Sequence, residues 1–375
     1  MSDKVIWLAV FISIPLYFLM GQTGSGDGPI TGQWTLELLP RDGVQFSIHR
    51  SWEGHHEYSS SSSYDLDNFR GLSRTQIEAG GPAKFEMLRD AGALACEGTF
   101  RNGGGGGTFL FSPDPQYVVS MRSLGYDGLT SERLFELAVH DVSRAYIREL
   151  DSLGYHRLPL DQLIELRIHG VSTAYIRELH GLGYNLRPDE LVQLRIHGVT
   201  TEFAATLKNS GYGTVPADQL VQLRIHGVTS EYMKGFQDMG YGRIPIDDLV
   251  QLRIHGVTTD FVNQLRGMGY GRAGVNDLVQ LQIHGVSADY VKDLQTLGYK
   301  SVSLDDLVQM RIHGVSIEFI RELKNYGYDQ VPVSDLVQMR IHGVTGSIIQ
   351  KLQAAGYKNL STDQLVQLRI HGVVQ

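Results

Sequence analysis

The chain has 375 residues, a formal net charge of -8 and an isoelectric point near 5.9. This acidic balance argues against a nucleic-acid partner, which would require a basic face. One cysteine, Cys96, is present, so an intrachain disulfide is excluded. Cys96 lies in an alternating apolar stretch, and we expect it to be a small buried core residue.

The N-terminal end carries an apolar run over residues 5–20, preceded by Lys4 and followed by Gly-Gln-Thr-Gly-Ser-Gly. This order is typical of a secretory signal. No Ala-x-Ala cleavage site is present and Pro15 would bend a helix, so an uncleaved single-span anchor and a buried helix stay open. We assign residues 1–25 to this segment. A signal or an anchor would place the rest of the chain outside the cytoplasm, in the periplasm or secreted.

Residues 30–112 have an apolar period of two, which is typical of β-strands. Turn signals occur at Pro-Arg-Asp-Gly (40–43) and Arg-Asp-Ala-Gly (89–92). Short alternating runs joined by turns predict a small antiparallel β-sandwich or barrel. The predicted inward side chains are Trp34, Leu36, Leu38, Val44, Phe46, Ile48, Phe85, Met87, Leu94, Cys96 and Phe100.

Two motifs in this region suggest chemistry but favour a structural role. The glycine run 103–107 lacks the Lys-Ser or Lys-Thr of a phosphate loop, so we predict a hairpin tip or a bulged glycine strand. The cluster of His55, His56 and Glu57 lacks the His-Glu-x-x-His spacing of a zinc site. It stands beside five serines (59–63), so we predict a polar loop or an edge strand.

The rest of the chain repeats one phrase, such as Gln-Leu-Arg-Ile-His-Gly-Val at 222–228. Its histidine recurs every 28 or 29 residues, at His140, His169, His197, His226, His255, His284, His313, His342 and His371. A fixed period in this range indicates stacked repeats. We therefore predict an α+β multidomain protein, with an α-solenoid of nine two-helix repeats over residues 113–375. The first copy departs from the pattern at Ala138 and Asp141, which suits a unit packed against the sheet domain.

One copy shows the predicted unit. Helix B opens near Pro216 and ends at His226, with Gly227 in the left-handed C′ position of a Schellman motif. Thr229 caps helix A, which ends at the next Gly-Tyr pair. We predict the same structural caps at Gly256, Gly285 and His255.

Three further rows follow from the repeat. The arginines point toward the packing side of helix B and need carboxylates or backbone carbonyls, for which the acids that open the next helix B are candidates. An anion-binding stripe is the alternative. This row consists of Arg167, Arg195, Arg224, Arg253, Arg311, Arg340 and Arg369, and Gln282 interrupts it.

The histidines favour capping of helix carbonyls. A shared metal site would need both rings within about 2 Å of the ion, whereas stacked helices lie about 10 Å apart. A ladder that senses pH is the other alternative. We expect no metal and no cofactor.

The glutamines lie on the solvent side of helix B. They form either a glutamine ladder between repeats or a recurrent contact surface for an extended partner. The row consists of Gln193, Gln222, Gln251, Gln280, Gln309, Gln338 and Gln367.

The pattern His-Gly-Val-Thr-x-x-Phe (255–261), then Gly-Tyr, then Asp-x-Leu-Val-x-Leu-Arg-Ile resembles extracytoplasmic repeats of certain bacterial membrane proteins. These are regulatory zinc metallopeptidases of the beta-lactam-sensor, or antirepressor, type. Gly-Gln-Trp-Thr (32–35), Phe-Arg-Gly-Leu (69–72) and Gly-Thr-Phe-Arg-Asn-Gly (98–103) resemble the segment that precedes such repeats. This chain has no His-Glu-x-x-His and no multi-span domain. The resemblance therefore implies an accessory module without the peptidase activity.

These features predict a non-catalytic scaffold that binds a protein or peptide in the bacterial envelope. A sensor or regulatory subunit that acts with a membrane metallopeptidase is the second possibility. An enzyme is the third, although no nucleophile and base, metal motif or cofactor loop supports it.

Overall fold

The computed structural model describes residues 29–40, 43–52, 56–271 and 273–373. The predicted signal or anchor (1–25) and His55 lie outside these ranges. The described residues up to Ile168 form one compact unit, and those from His169 onward form a second. The helices as far as Ile168 thus group with the sheet.

The first unit contains one curled antiparallel sheet with the strand order β3-β2-β1-β7-β6-β5-β4. The antiparallel sheet was predicted, but it is a single half-barrel and not two packed sheets or a closed barrel. The strands are β1 (Ile30–Leu38), β2 (Gly43–Trp52), β3 (His56–Asp65), β4 (Phe69–Arg70), β5 (Gly81–Arg89), β6 (Gly92–Arg101) and β7 (Gly104–Pro113).

An aromatic core fills the inner face of the sheet. The ring of Trp34 lies 4.9 Å from that of Phe85 and 5.5 Å from that of Phe100. Of the side chains predicted to point inward, all are buried except Leu38, which is half-buried. The period of two in the sequence therefore identified the buried face.

The serine-rich segment forms an edge strand, one of the two structures that we predicted for it. β3 pairs with β2 from Gly43↔Asp65 to Trp52↔His56. The glycine run divides, with Gly103 in a turn and the next four glycines in β7. A Cβ atom on Gly107 would lie 2.0 Å from the carbonyl oxygen of Glu97, so close strand packing requires glycine there.

Two types of short helix alternate after the sheet and the small helix α1 (Arg74–Ala79). The A helices, which end at Gly-Tyr, are α2 (Pro115–Ser123), α4 (Arg144–Ser152), α6 (Thr173–Gly181), α8 (Thr201–Leu207), α10 (Ser230–Asp238), α12 (Thr259–Gly267), α14 (Ala288–Thr296), α16 (Ile317–Asn325) and α18 (Gly346–Ala354). The B helices, which end before the repeated histidine, are α3 (Ser131–Val139), α5 (Leu160–Ile168), α7 (Pro188–Ile196), α9 (Ala217–Ile225), α11 (Ile246–Ile254), α13 (Val275–Ile283), α15 (Leu304–Ile312), α17 (Val333–Ile341) and α19 (Thr362–Ile370).

Helices of the same type stack on one another in the second unit. From α6 to α19, each helix packs against the helix two places along the chain. Tyrosine hydroxyls join successive layers: Tyr232 donates to the carbonyl of Val257 at 2.7 Å, and Tyr241 donates to that of Ala273 at 2.9 Å. Helices of nine residues are not stable alone in water, so these contacts between neighbours hold the array together.

The first B helix, α3, packs on the sheet, as its atypical sequence predicted. Phe135 stacks on Phe109 with a ring separation of 5.7 Å and an interplanar angle of 6°. The hydroxyl of Tyr58 lies 2.9 Å from Nε2 of His140. Ala138 is fully buried, and Asp141 pairs with Arg167 at 2.6 Å. The two departures from the repeat thus occur where α3 meets different neighbours.

Candidate functional site

The B helices end in the hydrogen-bond pattern of a Schellman motif. Gly227 has a φ of 69°, its amide donates to the carbonyl of Arg224 at 3.0 Å, and the amide of Val228 donates to that of Leu223 at 2.8 Å. Gly256 and Gly285 have φ values of 71° and 68°. These left-handed positions fix the end of each helix, and with it the orientation of the last turn.

The histidines at these ends contribute their backbone to the cap. The amide of His226 donates to the carbonyl of Gln222 at 3.1 Å. The ring of His255 reaches the side-chain oxygen of Gln251 at 3.2 Å. Within the described residues, His226 and His255 are therefore the C-caps that we predicted, through their backbone amides, and neither ring donates to a terminal carbonyl.

The arginine row packs between repeats, against aromatic rings. The guanidinium carbon of Arg253 lies 4.7 Å from the ring centre of Tyr232, and its Nε donates to the carbonyl of His226 at 3.5 Å. Arg195, Arg224, Arg311 and Arg340 stack in the same way, at 5.0 to 5.4 Å. None of these five forms an ion pair with a carboxylate within the described ranges, so the candidate acidic partners are wrong for them, whereas the backbone carbonyls, the other partners that we predicted, are used by Arg195 and Arg253. A cation–π contact takes the place of the carboxylate.

Each B helix of the second unit exposes one isoleucine just before its C-terminal cap. These side chains are between 46% and 51% exposed, although the sequence placed them on the apolar packing arc of the helix. Together we call them the isoleucine row: Ile196, Ile225, Ile254, Ile283, Ile312, Ile341 and Ile370. A half-exposed apolar side chain that recurs along a surface is a candidate contact group.

The glutamine row lies beside the isoleucine row. Gln280 is half-buried and the other six glutamines are exposed. Among the described residues, no hydrogen bond joins one glutamine of the row to the next. The one side-chain hydrogen bond of the row there is between Gln251 and the ring of His255. The predicted glutamine ladder is therefore not formed. The amides are left with donors and acceptors available to a partner.

Carboxylates occupy the first turn of the same helices, near the positive end of each helix dipole. We call them the acidic row: Asp189, Glu190, Asp218, Asp247, Asp248, Asp277, Asp305, Asp306, Asp335 and Asp363. Arg187 pairs with the first two of them. The other eight have no lysine or arginine partner within the described part of the chain. Their charge is therefore not neutralised by the protein.

These three rows share one side of each B helix. In α9, Asp218, Gln222 and Ile225 are spaced by four and three residues, which places them along one helical stripe. With a rise of 1.5 Å per residue, the glutamine lies about 6 Å along the axis from the acid and about 4.5 Å from the isoleucine. We call this surface, from α7 to α19, the B face.

A groove lies in the B face between α7 and α9. Its volume is about 380 Å³, and its walls include Glu190, Gln193, Asp218, Val221 and Gln222. Acidic and glutamine side chains of two successive helices therefore converge on a single concave space. It has the size of a small ligand pocket.

A larger cavity of about 720 Å³ lies in the first unit and is lined by Gln33, His49, Arg50, Glu97 and Thr108, among other residues. Arg50 forms an ion pair with Glu132, and Glu97 forms one with Lys84 at 2.7 Å. These charges are committed to structural pairs.

Other candidate chemistry finds no support in the described residues. Burial raises the pKa of the Cys96 thiol to about 12, so this side chain is protonated and unreactive at neutral pH. Those residues hold no cluster of three or more histidine, cysteine or acidic side chains that suits a metal ion.

The described residues also include no helix of the length and apolar character that a membrane span requires. Side-chain contacts of His56 lie outside the description.

The sequence matches no protein-family model and no curated protein. The resemblance to the repeats of regulatory metallopeptidases therefore stays a prediction.

Sequence reasoning located the glutamine row but missed the isoleucine row beside it. On a helical wheel the two rows are only about 60° apart. The strict recurrence of isoleucine next to a solvent-side glutamine was the available signal. It could have indicated that the apolar arc extends into solvent.

Proposed function

We propose that this protein is a non-catalytic scaffold that binds a protein or peptide along the B face. In this proposal, residues 113–375 form an α-solenoid of nine two-helix repeats, and the repeats present the same contact groups many times. The observation that carries the proposal is the isoleucine row, half-exposed at equivalent positions of seven B helices. Burial of apolar surface is the main driving force for association.

The structural roles of the other rows support this assignment. The aromatic stacks of the arginines and the tyrosine hydroxyls account for the packing between repeats. The acidic row has some structural contacts, since Asp277 accepts from the amide of Gly274 and Asp335 accepts from the hydroxyl of Thr362 in the next repeat. The isoleucine and glutamine rows make no such contacts within the described residues, so packing between repeats does not explain their recurrence. A recurring surface row without a structural role is what an extended binding site requires.

We also propose that the scaffold acts outside the cytoplasm, in the bacterial envelope. The apolar run at residues 5–20 and the resemblance to extracytoplasmic repeats support this location. A role as a regulatory subunit of a membrane metallopeptidase is compatible with the same B face. No observation on the described residues favours that role specifically.

Photo-crosslinking in the native cell tests the binding function. A photoreactive amino acid replaces Gln222 in the full chain, and adducts are identified by mass spectrometry. We expect a discrete protein adduct that disappears when Ile225 and Ile254 are also replaced by serine. The same probe at Gln237, on an A helix, is the control for chance collisions. An absence of adducts, or equal adducts from both positions, would contradict the proposal.

A further inference from the structure

We infer that the partner of the B face is an extended segment in the polyproline-II conformation, with an apolar side chain at every third position and basic side chains between them. This inference rests on the binding function proposed above, and it specifies the chemistry of the partner. The spacing of the rows, the free glutamine amides and the unpaired carboxylates carry it.

The first step is the spacing of the contact groups. Each B helix from α7 to α19 supplies one isoleucine and one glutamine to the B face. Successive B helices pack directly on each other, and packed helices lie about 8 to 10 Å apart. A partner that runs along the stack therefore meets the same pair of side chains about every 8 to 10 Å.

Backbone conformations differ in how often a side chain returns to the same side, and this distance must match the separation of about 8 to 10 Å between B helices. A polyproline-II segment has three residues per turn and advances about 9.3 Å in a turn, so every third side chain points the same way. Three residues of a β-strand cover about 10 Å, but side chains alternate between faces, so successive contacts would point to opposite sides. An α-helix returns to the same side after seven residues, or about 10.5 Å.

The glutamine row distinguishes the polyproline-II segment from the α-helix. An α-helix satisfies its own backbone amides and carbonyls, and it would cover the glutamines without bonding to them through its backbone. A polyproline-II segment has no internal hydrogen bonds. Glutamine side chains offer both donors and acceptors, and in this row they do not bond to one another. They are therefore available to the backbone of such a segment.

The negative charge of the acidic row determines which side chains the partner carries. The isoleucine and acidic rows flank the glutamine row on opposite sides, about 4.5 Å and about 6 Å away along the helix axes. A segment that lies over the glutamines therefore has an apolar edge and an acidic edge within reach. Asp218, Asp247 and Asp305 are exposed and have no basic partner in the described residues. Lysine or arginine side chains of the partner would neutralise these carboxylates.

The groove between α7 and α9 adds a local feature to this surface. Its volume of about 380 Å³ admits one side chain or proline ring of the partner. Its walls carry Gln193 and Gln222 together with Asp218. The groups that the inference assigns to recognition therefore meet around one concave space.

The test uses three labelled synthetic peptides and the purified full-length protein, with binding followed by fluorescence anisotropy. The first peptide contains four copies of Leu-Pro-Lys, which span about 37 Å as polyproline II. The second has the same composition, with leucines spaced irregularly. The third is an amphipathic α-helix with leucine in a heptad pattern and the same net charge. We expect the first peptide to bind at least tenfold more tightly than either of the others.

Matched variants locate the binding surface. We expect Ile225→Ser with Ile254→Ser to weaken binding of the first peptide at least tenfold, while circular dichroism shows an unchanged helical content. Leu88→Ser is the control, because Leu88 is 46% exposed and lies in the sheet unit. Asp218→Asn with Asp247→Asn should weaken binding more at low than at high ionic strength, since salt screens exposed charges.

The outcomes separate this inference from the proposed function. Equal binding of the first two peptides would mean that charge alone drives the contact, and it would overturn the inference, as would tighter binding of the helical peptide. If crosslinking from position 222 gives a discrete adduct and none of the peptides binds, the scaffold function stands and the polyproline-II partner is wrong. If both experiments fail, the scaffold function is wrong as well.

Discussion

At the scale of single residues, the C′ glycines serve two purposes that sequence alone does not separate. Their positive φ ends the helix, and several of them also leave room for an arginine of the next repeat. A Cβ atom on Gly227 would lie 3.1 Å from Nη2 of Arg253, whereas one on Gly256 would have nothing within 4 Å. Both glycines have similar φ values of 69° and 71°. The two positions therefore differ in contact and not in backbone strain.

Gly227→Ala and Gly256→Ala exploit this difference. Alanine in the left-handed region costs about 1 kcal/mol, so we expect both variants to be less stable. Gly227→Ala should lose more, because Arg253 must also move from its stack on Tyr232. Urea unfolding followed by circular dichroism measures the loss. Equal losses would show that the contact with Arg253 is unimportant, and no loss in either variant would contradict the C-cap assignment.

We expect His140, which lies where α3 packs on the sheet, to make the stability of the protein dependent on pH. Burial, and secondarily the charge of Arg167, lower the pKa of His140 below its ordinary value of 6.5. The folded state therefore binds fewer protons than the unfolded state as the pH falls through about 6.5. We expect the stability to fall over that interval, down to the lowered pKa of the folded state.

Urea unfolding at pH 7.5, 6 and 5 measures this effect, with His140→Gln as the matched variant. Glutamine can keep a hydrogen bond to the hydroxyl of Tyr58, which now lies 2.9 Å from Nε2, but it does not titrate. The difference in stability between the two proteins should change with pH, with the wild type losing more at low pH. Parallel pH profiles would contradict a half-buried imidazole with a lowered pKa.

At the scale of helices, the interruption of the arginine row at Gln282 has a structural consequence. A cavity of about 300 Å³ lies there, lined by Phe261, Gln264 and Gln282 among others. In the neighbouring copies an arginine covers the equivalent aromatic ring, as Arg311 covers Tyr290 at 5.0 Å. The absence of that arginine explains why no atom crowds Gly256, the glycine of the preceding turn.

Gln282→Arg should therefore stabilise the array. The new guanidinium would lie over Phe261 and reach the carbonyl of His255, by analogy with Arg253 on Tyr232 and His226. A cation–π contact at a partly exposed site contributes about 0.5 to 1 kcal/mol. The urea midpoint should rise, and the reverse change Arg253→Gln should lower it by a similar amount. An unchanged or lower urea midpoint in Gln282→Arg would contradict the packing role of the arginine row.

Local features of the helices could be predicted from the sequence, whereas contacts between helices could not. The spacing of His226, Gly227 and Val228 predicts the helix end, because a Schellman motif involves only neighbouring residues. The exposure of Ile225 depends on where the next helices lie, which a helical wheel does not contain. The stack of Arg253 on Tyr232 joins residues of two repeats, and the predicted carboxylate partners were wrong for the same reason.

At the scale of the whole molecule, the sheet shows the same limit. Alternating apolar residues identified the inner face, and turn signals such as 89–92 identified a hairpin. Whether the strands form one sheet or two depends on the pairing of β1 with β7, which are separated by most of the domain sequence. The long edge strand β3 is rich in serine, so its period of two carries little apolar signal. The pairing of strands that are far apart in the sequence therefore could not be predicted.

The helical region should unfold locally because its contacts are local. In the second unit each helix packs on the helices two places before and after it, and the tyrosine hydroxyls also bond to the next layer. The stability of such an array is close to a sum of terms for each repeat and its nearest interfaces. A strained cap in one repeat should then open that repeat and its neighbours more often, with little effect on distant ones.

Hydrogen exchange measured by mass spectrometry on Gly256→Ala tests this consequence. We expect faster amide exchange in α11, which Gly256 ends, and in the adjoining helices α9, α10, α12 and α13. Exchange in the sheet strands and in α17 to α19 should match the wild type. The variant Lys234→Gln, in which Gly256 is unchanged, is the control for the effect of a surface substitution on exchange. Faster exchange throughout the chain would mean that the protein unfolds as one cooperative unit, and a binding partner would then stabilise distant repeats as strongly as the repeats it touches.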